Sequence, residues 1–529
     1  MPESRQTLKS ASQLDTGREK QKRIDKFVNA SKERKKAILN KRRKSGNQSN
    51  SISIDLYLNN SQAINELVLS LNDSITSVRV SALKKCRMVL GVNQQDNEHV
   101  EELVTQFLLN NDFIPLLIKN LKSFHSECQL EAAWCITNIA SSHHEHTKET
   151  LHAIPDLINF CDGRFCDNAI LQEQCSWALG NIAGDCAEYC RLLVRNGALT
   201  PLFSLFKTSK VVDVVKTAAW CLHNISRGVM MPGDSNQHYL AEQGWPNDRY
   251  LSMIFDQSFI NTLLKCCKDA SVNKCNLSVL HEVMWVLSNL SRLSDYGVMT
   301  SKLIQPRDES VTLLDDVIQI IISAHDDYLM IPCLRVLGNL LKGPDVVAET
   351  AISRFDALVS NKLPLLIKFK NVASKEAAWV ISNLCAASDW CIDELMKRQY
   401  LILLYTCARD VYSSGTVQDW IVCREIAISV CNLCSGCRVI QNINEVVLLL
   451  LNFLQDSTNY VDNEDVQVIE SVCFVLNFVD FLLSSSTMRE QVKAILLHNN
   501  GSSVLQNIQK LNRCECIQVL HQLNNKLNN

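Results

Sequence analysis

Glycine and proline are scarce in this chain. They number 16 and 10 among 529 residues, each about 2–3% against the usual roughly 7% and 5%. A long chain with so few turn-formers is expected to be helical. Aromatic residues make up only 6%, which argues against an all-β design, because aromatic side chains favour strands. No apolar run approaches the roughly 18 residues of a membrane span. The first ten residues, MPESRQTLKS, lack the apolar stretch of a secretory signal. The 23 cysteines are therefore expected in a reducing compartment. Many, such as Cys135, Cys221 and Cys473, fall inside apolar helical patterns, where a free thiol behaves as a small hydrophobe.

Catalytic signatures are missing too. There is no phosphate loop, no GxSxG and no HExxH, so the sequence points to no enzyme and to no cofactor. CNLCSGC holds Cys431, Cys434 and Cys437 but lacks a fourth Cys at cluster spacing. The run HHEH, residues 143–146, reads as a polar loop between repeats. Neither is taken as a metal site.

Charge is unevenly spread. Residues 1–50 hold 15 Lys/Arg and 5 Asp/Glu, a net of +10, and the rest hold 38 and 51, a net of −13. A basic tail thus precedes an acidic body, and the two can attract. The stretch 45–52, SGNQSNSI, has a linker composition. A basic helix ending near KRRK is expected to stay disordered until bound, because alone it buries too little apolar surface.

What is abundant is repetition. The segments EAAWCITNIA, QCSWALGNIAGD and TAAWCLHNISRG recur at a spacing of 43. Aligned on Asn, the series is Asn138, Asn181, Asn224, Asn289, Asn339, Asn383, Asn432 and Asn477. Periods of about 40–47 are those of armadillo and HEAT repeats. The longest step, from Asn224 to Asn289, implies an insertion near 229–250. Pro115, Pro155, Pro201 and Pro364 precede apolar helical stretches, where the missing N–H costs nothing. Each unit reads as a short helix, a Pro-started helix and a helix carrying the Asn. Stacked units bury faces that a single unit cannot. The expected fold is all-α: an armadillo-repeat, right-handed superhelical solenoid over residues 51–525, with one concave groove, behind the basic segment 1–50. Residues 72–90 read as a first, capping unit.

Five of these Asn follow a Trp by four residues: Trp134, Trp177, Trp220, Trp285 and Trp379. That spacing puts both on one helix face. Packing explains the Trp but not the Asn, a poor helix-interior residue. An Asn amide can hold the C=O and N–H of an extended peptide. Indole faces attract Lys or Arg by about 0.5–2 kcal/mol. Acidic Asp185, Glu282, Asp345 and Glu376 lie near the same faces. The implied ligand is an extended peptide rich in Lys and Arg.

The segments EAAWCITNIAS, SWALGNIAGD, LRVLGNLLKG and KEAAWVISNLC, in that order, resemble importin alpha, the nuclear-import adaptor family, from about residue 15 to about 480. The resemblance implies an importin-beta-binding segment near residues 5–44, carrying Arg18, Lys22, Arg23, Arg34, Lys35, Lys36, Lys41, Arg42, Arg43 and Lys44. It implies a major site for Lys-rich nuclear localisation signals at Trp134, Asn138, Trp177, Asn181, Trp220 and Asn224, with a lysine pocket at Asp185 and Thr147. A minor site would use Glu282, Arg335, Asn339, Glu376, Trp379, Asn383 and Glu425. Ile428 replaces its second Trp, so that site is expected to be weakened. Ser142 stands where the family has Gly. The segment KRRK, residues 41–44, would mimic cargo in the chain's own groove until importin beta removes it. Further partners implied are cargo proteins and an export receptor, with shuttling between cytoplasm and nucleus. The C-terminal HQLNNKLNN is thin in the acidic residues that export recognition would use. Two other readings remain: an armadillo scaffold without transport activity, and nucleic-acid binding by the basic tail, which the acidic body disfavours.

Overall fold

A computed structural model describes residues 60–91, 112–229, 276–291, 312–324, 326–369, 371–412, 417–435, 440, 442–460, 466–509 and 514–528, with isolated positions 105, 262, 263 and 265. The basic segment with all ten of its candidate residues, and the expected insertion beyond Val229, lie outside the described residues. Described residues up to 290 form one compact unit and those from 291 another.

The first unit opens with α1 (Ser61–Ser70) and α2 (Thr76–Leu90), of which only α2 falls in the stretch 72–90 read as a capping unit. Next come α3 (Phe113–Leu121) and α4 (Ser126–Ile139). The following repeat is complete: a short α5 (His144–Glu149), a 3-10 turn (Thr150–Ala153), α6 (Ile154–Cys161) and α7 (Ala169–Asp185). Its successor has α8 (Ala187–Arg195), α9 (Leu199–Thr208) and α10 (Val212–Val229), and α11 (Leu277–Ser291) carries the next Trp–Asn pair. The second unit holds α12 (Leu313–Ser323), α13 (Asp327–Leu341), α14 (Asp345–Arg354), α15 (Leu363–Lys368), α16 (Ser374–Cys385), α17 (Asp389–Lys397), α18 (Tyr400–Tyr412) and α19 (Val417–Cys434). It ends with α20 (Ile443–Tyr460), α21 (Val466–Ser484), α22 (Arg489–His498), α23 (Gly501–Gln509) and α24 (Cys514–Asn528). Among the described residues there is no strand, and no helix is long and apolar enough to cross a membrane.

Local chemistry sets these boundaries. Asn168 caps α7 by accepting from the N–H groups of Ile170 and Leu171, the usual role of a short polar side chain there. Pro155 and Pro364 sit in the first turn of α6 and α15. Three of the turns from first to second helix use one left-handed residue. Gly197 supplies it with φ +81° between α8 and α9. Gln399 (φ 58°) between α17 and α18, and Asn500 (φ 59°) between α22 and α23, do the same job. For Gln399 this conformation is strained by roughly 1–2 kcal/mol.

Burial follows the predicted periodicity. Cys135 and Cys221 are fully buried among Ala, Ile and Leu. Burial pushes the Cys161 and Cys190 thiols up to about 12, so they stay protonated and act as packing. Cys473 departs from expectation. It is joined to Cys516, with Cα atoms 5.5 Å apart, because positions one repeat apart on α21 and α24 face each other.

Candidate functional site

The Asn series has a structural use that the sequence did not disclose. Asn181 donates through Nδ2 to the Thr137 carbonyl at 2.9 Å, and Asn224 to the Gly180 carbonyl at 3.0 Å. Asn138 reaches Arg87 O, Asn289 reaches His223 O, and Asn383 reaches Gly338 O. In four of these pairs the acceptor immediately precedes the Asn of the previous repeat. Packing of one repeat on the next therefore does use Asn, contrary to the expectation from sequence. In these five repeats one amide hydrogen staples the helix to the one a repeat earlier. The other half of the amide differs. Asn181 and Asn224 each have a buried Oδ1 that meets no donor among the described residues.

Several of these accepting residues also face the next indole. Arg87 lies over the Trp134 ring at 4.4 Å. His223 stacks on Trp285 at 5.7 Å and 7°. Where the indole lies flat on the helix backbone, the residue is glycine. A Cβ at Gly180 would fall 2.3 Å from Trp220, and one at Gly338 would fall 2.1 Å from Trp379. Trp134, Trp220 and Trp379 are half-buried. Trp177 and Trp285 are only 6% exposed, so these two contribute mainly to packing.

Three residues before each Trp position stands a side chain that usually bonds the same preceding residue. Glu131 pairs with Arg87 at 2.5 Å. Gln174 donates to Thr137 Oγ1 at 2.7 Å. Glu282 accepts from His223 at 3.0 Å and His281 at 3.2 Å. Glu425 accepts from Ser382 at 2.9 Å and from Arg424 at 2.7 Å. Glu376 faces a repeat with Gly338 at that place and takes Arg335 instead, at 2.9 Å. Burial alone would raise the Glu282 pKa, but the hydrogen bonds from His223 and His281 outweigh it and hold the carboxyl well below its usual range.

Every candidate acid among these is thus already met by a side chain of the chain itself. Asp185, at the end of α7, is hydrogen-bonded by His144 Nδ1 from the HHEH run. Lys342 sits 5.7 Å over the Trp379 ring. The Thr147 side chain is fully buried, and its hydroxyl donates to the carbonyls of His143 at 3.1 Å and Ala140 at 3.4 Å. Both acceptors belong to the α4–α5 connection. Asn339 donates to Ser291 Oγ at 3.0 Å. At Ile428, where the indole is missing, the staple is missing too: Asn432 Nδ2 is buried without a partner among the described residues.

Comparison with known proteins fits this geometry. The armadillo/beta-catenin-like repeat model matches residues 103–141 and 186–227. Importin subunit alpha-9 of Arabidopsis thaliana is 31% identical over 317 residues, 59% of this chain and 53% of that protein. Importin subunit alpha-2 of Oryza sativa subsp. japonica is 28% identical over 330 residues, 61% and 54% respectively. The chain spans about half the length of these relatives. The crystal structure of an engineered protein superposes with a TM-score of 0.63 at 20% identity, covering 88% of this chain and 99% of that one, which speaks for the fold alone. The chain is an all-α protein of armadillo repeats, distantly similar to importin subunit alpha proteins.

Proposed function

We propose that this chain is a non-catalytic nuclear import adaptor. It holds Lys/Arg-rich localisation signals along its Trp/Asn faces and joins cargo to importin beta through residues 1–50. The observation that carries the reading is what the chain places on its own recognition faces. Arg87 lies on Trp134, Lys342 on Trp379, His144 on Asp185 and Arg335 on Glu376. These contacts mark the subsites as suited to cationic groups on aliphatic stems. Beside them, Asn181 and Asn224 keep an acceptor without a donor among the described residues. A peptide N–H satisfies such an atom, and leaving it unmet costs about 1–3 kcal/mol.

Binding then exchanges internal cations for those of the cargo. Part of the gain is spent on that exchange, so selectivity rests on several lysines acting together. The basic segment 41–44 acts as a tethered competitor. A short flexible tether gives an effective concentration near millimolar, enough to exclude weak cargo. The side containing Ile428 is the weaker one, because it lacks both an indole and an Asn staple. The test compares a fluorescent Lys-rich peptide binding to the full chain, to a deletion of residues 1–50, and to Asn181→Ala with Asn224→Ala. Deletion tightens binding. The paired Asn variant weakens it at least tenfold, about the 1.4 kcal/mol expected from one lost buried hydrogen bond. Equal affinity in all three proteins refutes the reading.

A further inference from the structure

We propose that His144, Asp185 and Cys186 form a binding site for a borderline-soft divalent cation of the Zn2+ class. We infer also that the bound cation closes the Asp185 pocket to lysine, a clause that rests on the adaptor reading above. Potential ligand atoms of these three residues lie within 4.8 Å of one another. Among the described residues no other trio of His, Cys, Asp or Glu meets so closely. The donor set is mixed: an imidazole nitrogen, a carboxylate oxygen and a thiol sulfur. Zinc takes all three kinds, at about 2.0–2.3 Å. Such distances put the ligand atoms of a tetrahedral centre roughly 3–4 Å apart, so small side-chain adjustments suffice. Thiol and imidazole together disfavour Mg2+ and Ca2+, which prefer all-oxygen sites.

The three side chains are placed rather than scattered. Asp185 ends α7, and Cys186 follows in extended backbone (φ −148°, ψ 165°) before α8. Tyr189, itself only 5% exposed, stacks on the His144 ring at 5.4 Å and 6°. That stacking holds the imidazole where Nδ1 faces the Asp185 carboxylate. A hydrogen bond between His144 and Asp185 needs no thiol at a third corner, yet one is present. Three protein ligands leave a fourth position for water or an outside donor. On binding, the Cys186 thiol passes its proton to solvent and ligates as thiolate. The HHEH run, which as sequence reads only as a polar loop, thereby supplies one ligand, His144.

The experiment titrates the reduced, metal-free full chain with Co2+ and follows the thiolate-to-cobalt charge-transfer band, then displaces cobalt with Zn2+. The chain has other thiols, so the difference between wild type and Cys186→Ser isolates this site. One equivalent is expected to bind with the band in wild type and without it in Cys186→Ser. His144→Ala is expected to lose affinity at least about tenfold. The His144 side chain is 54% exposed, so its removal spares the core, and far-ultraviolet circular dichroism checks both variants. The same spectrum and stoichiometry in all three proteins overturns the site. In a second arm, saturating Zn2+ is expected to weaken Lys-rich peptide binding about tenfold in wild type but not in His144→Ala. Zinc that binds at the site without changing peptide affinity overturns the pocket-closing clause. Metal-free protein that binds no peptide either with or without residues 1–50 overturns the adaptor reading and leaves the cobalt result standing by itself.

Discussion

Gly180→Ala tests whether the flat seating of an indole on the preceding repeat is what organises the candidate groove. A Cβ at this position would lie 2.3 Å from Trp220 Cζ3 and 2.7 Å from Cε3. Carbon atoms in contact rest about 3.5–4.0 Å apart, so the ring must retreat by more than about 1 Å. An indole is stiff, and such overpacking costs about 1–3 kcal/mol. Alanine gains about 1 kcal/mol over glycine within a helix. The net expectation is a loss of roughly 0–2 kcal/mol, the difference of those two terms. The sign is what makes the test sharp. In a Trp220→Ala background the obstacle is gone, and Gly180→Ala is expected to stabilise by up to about 1 kcal/mol. The coupling between the two sites is then about 1–3 kcal/mol. Repeat arrays seldom unfold in two states. The assay is therefore amide hydrogen exchange in α7 and α10, read beside urea midpoints for the single and double variants. Peptide affinity is measured on the same proteins, and it falls when the ring is displaced. An effect of the same sign and size in both backgrounds refutes the account of Gly180.

Three further outcomes follow from particular contacts. Replacing Arg87 with Ala frees the Trp134 face and Glu131, and a cation–π contact of about 0.5–1 kcal/mol corresponds to peptide binding about two- to fivefold tighter, read by fluorescence anisotropy. Because the Glu282 pKa is lowered on folding, its ionised form contributes stability above the unfolded value, and that contribution is lost as pH falls toward the folded one. The stability gap between wild type and Glu282→Gln is therefore expected to shrink as pH falls below the ordinary 4.5, as measured by urea midpoints across an acid series; a gap that stays constant or widens contradicts the assignment. Gln399→Gly relieves a left-handed φ of 58° and is expected to raise local stability by up to about 1 kcal/mol, visible as slower exchange at the α17–α18 turn.

The repeat period was legible because it is written in large, rare residues. A Trp four before an Asn every 43 residues cannot arise from helix patterning alone, and α4, α7 and α10 lie where that spacing puts them. The turn chemistry was less legible. Gly197 marks one such turn plainly, but Gln399 carries no turn signal of its own. The stapling role of Asn is hidden from the sequence for a physical reason. Its partner is a backbone carbonyl about 44 residues earlier, and a carbonyl leaves no trace in the sequence. A side-chain signal did exist at residues whose carbonyls accept from the Asn of the next repeat. Arg87 opposite Glu131, and His223 opposite Glu282, are complementary pairs at fixed offsets, while Gly180 and Gly338 fall where the next indole needs room. The meeting of His144 with Asp185 depends on the path of the short α5, which periodicity does not determine. Cys473 fitted the apolar pattern well, and only the packing of α21 on α24 brought it to Cys516.

The most direct measurement of the central claim is the affinity of a fluorescent monopartite Lys-rich peptide for the reduced full chain and for Asp185→Lys. The account predicts micromolar or tighter binding, lost when the pocket carboxylate becomes a cation. Binding that survives the substitution, or no binding by either the full chain or a deletion of residues 1–50, contradicts it.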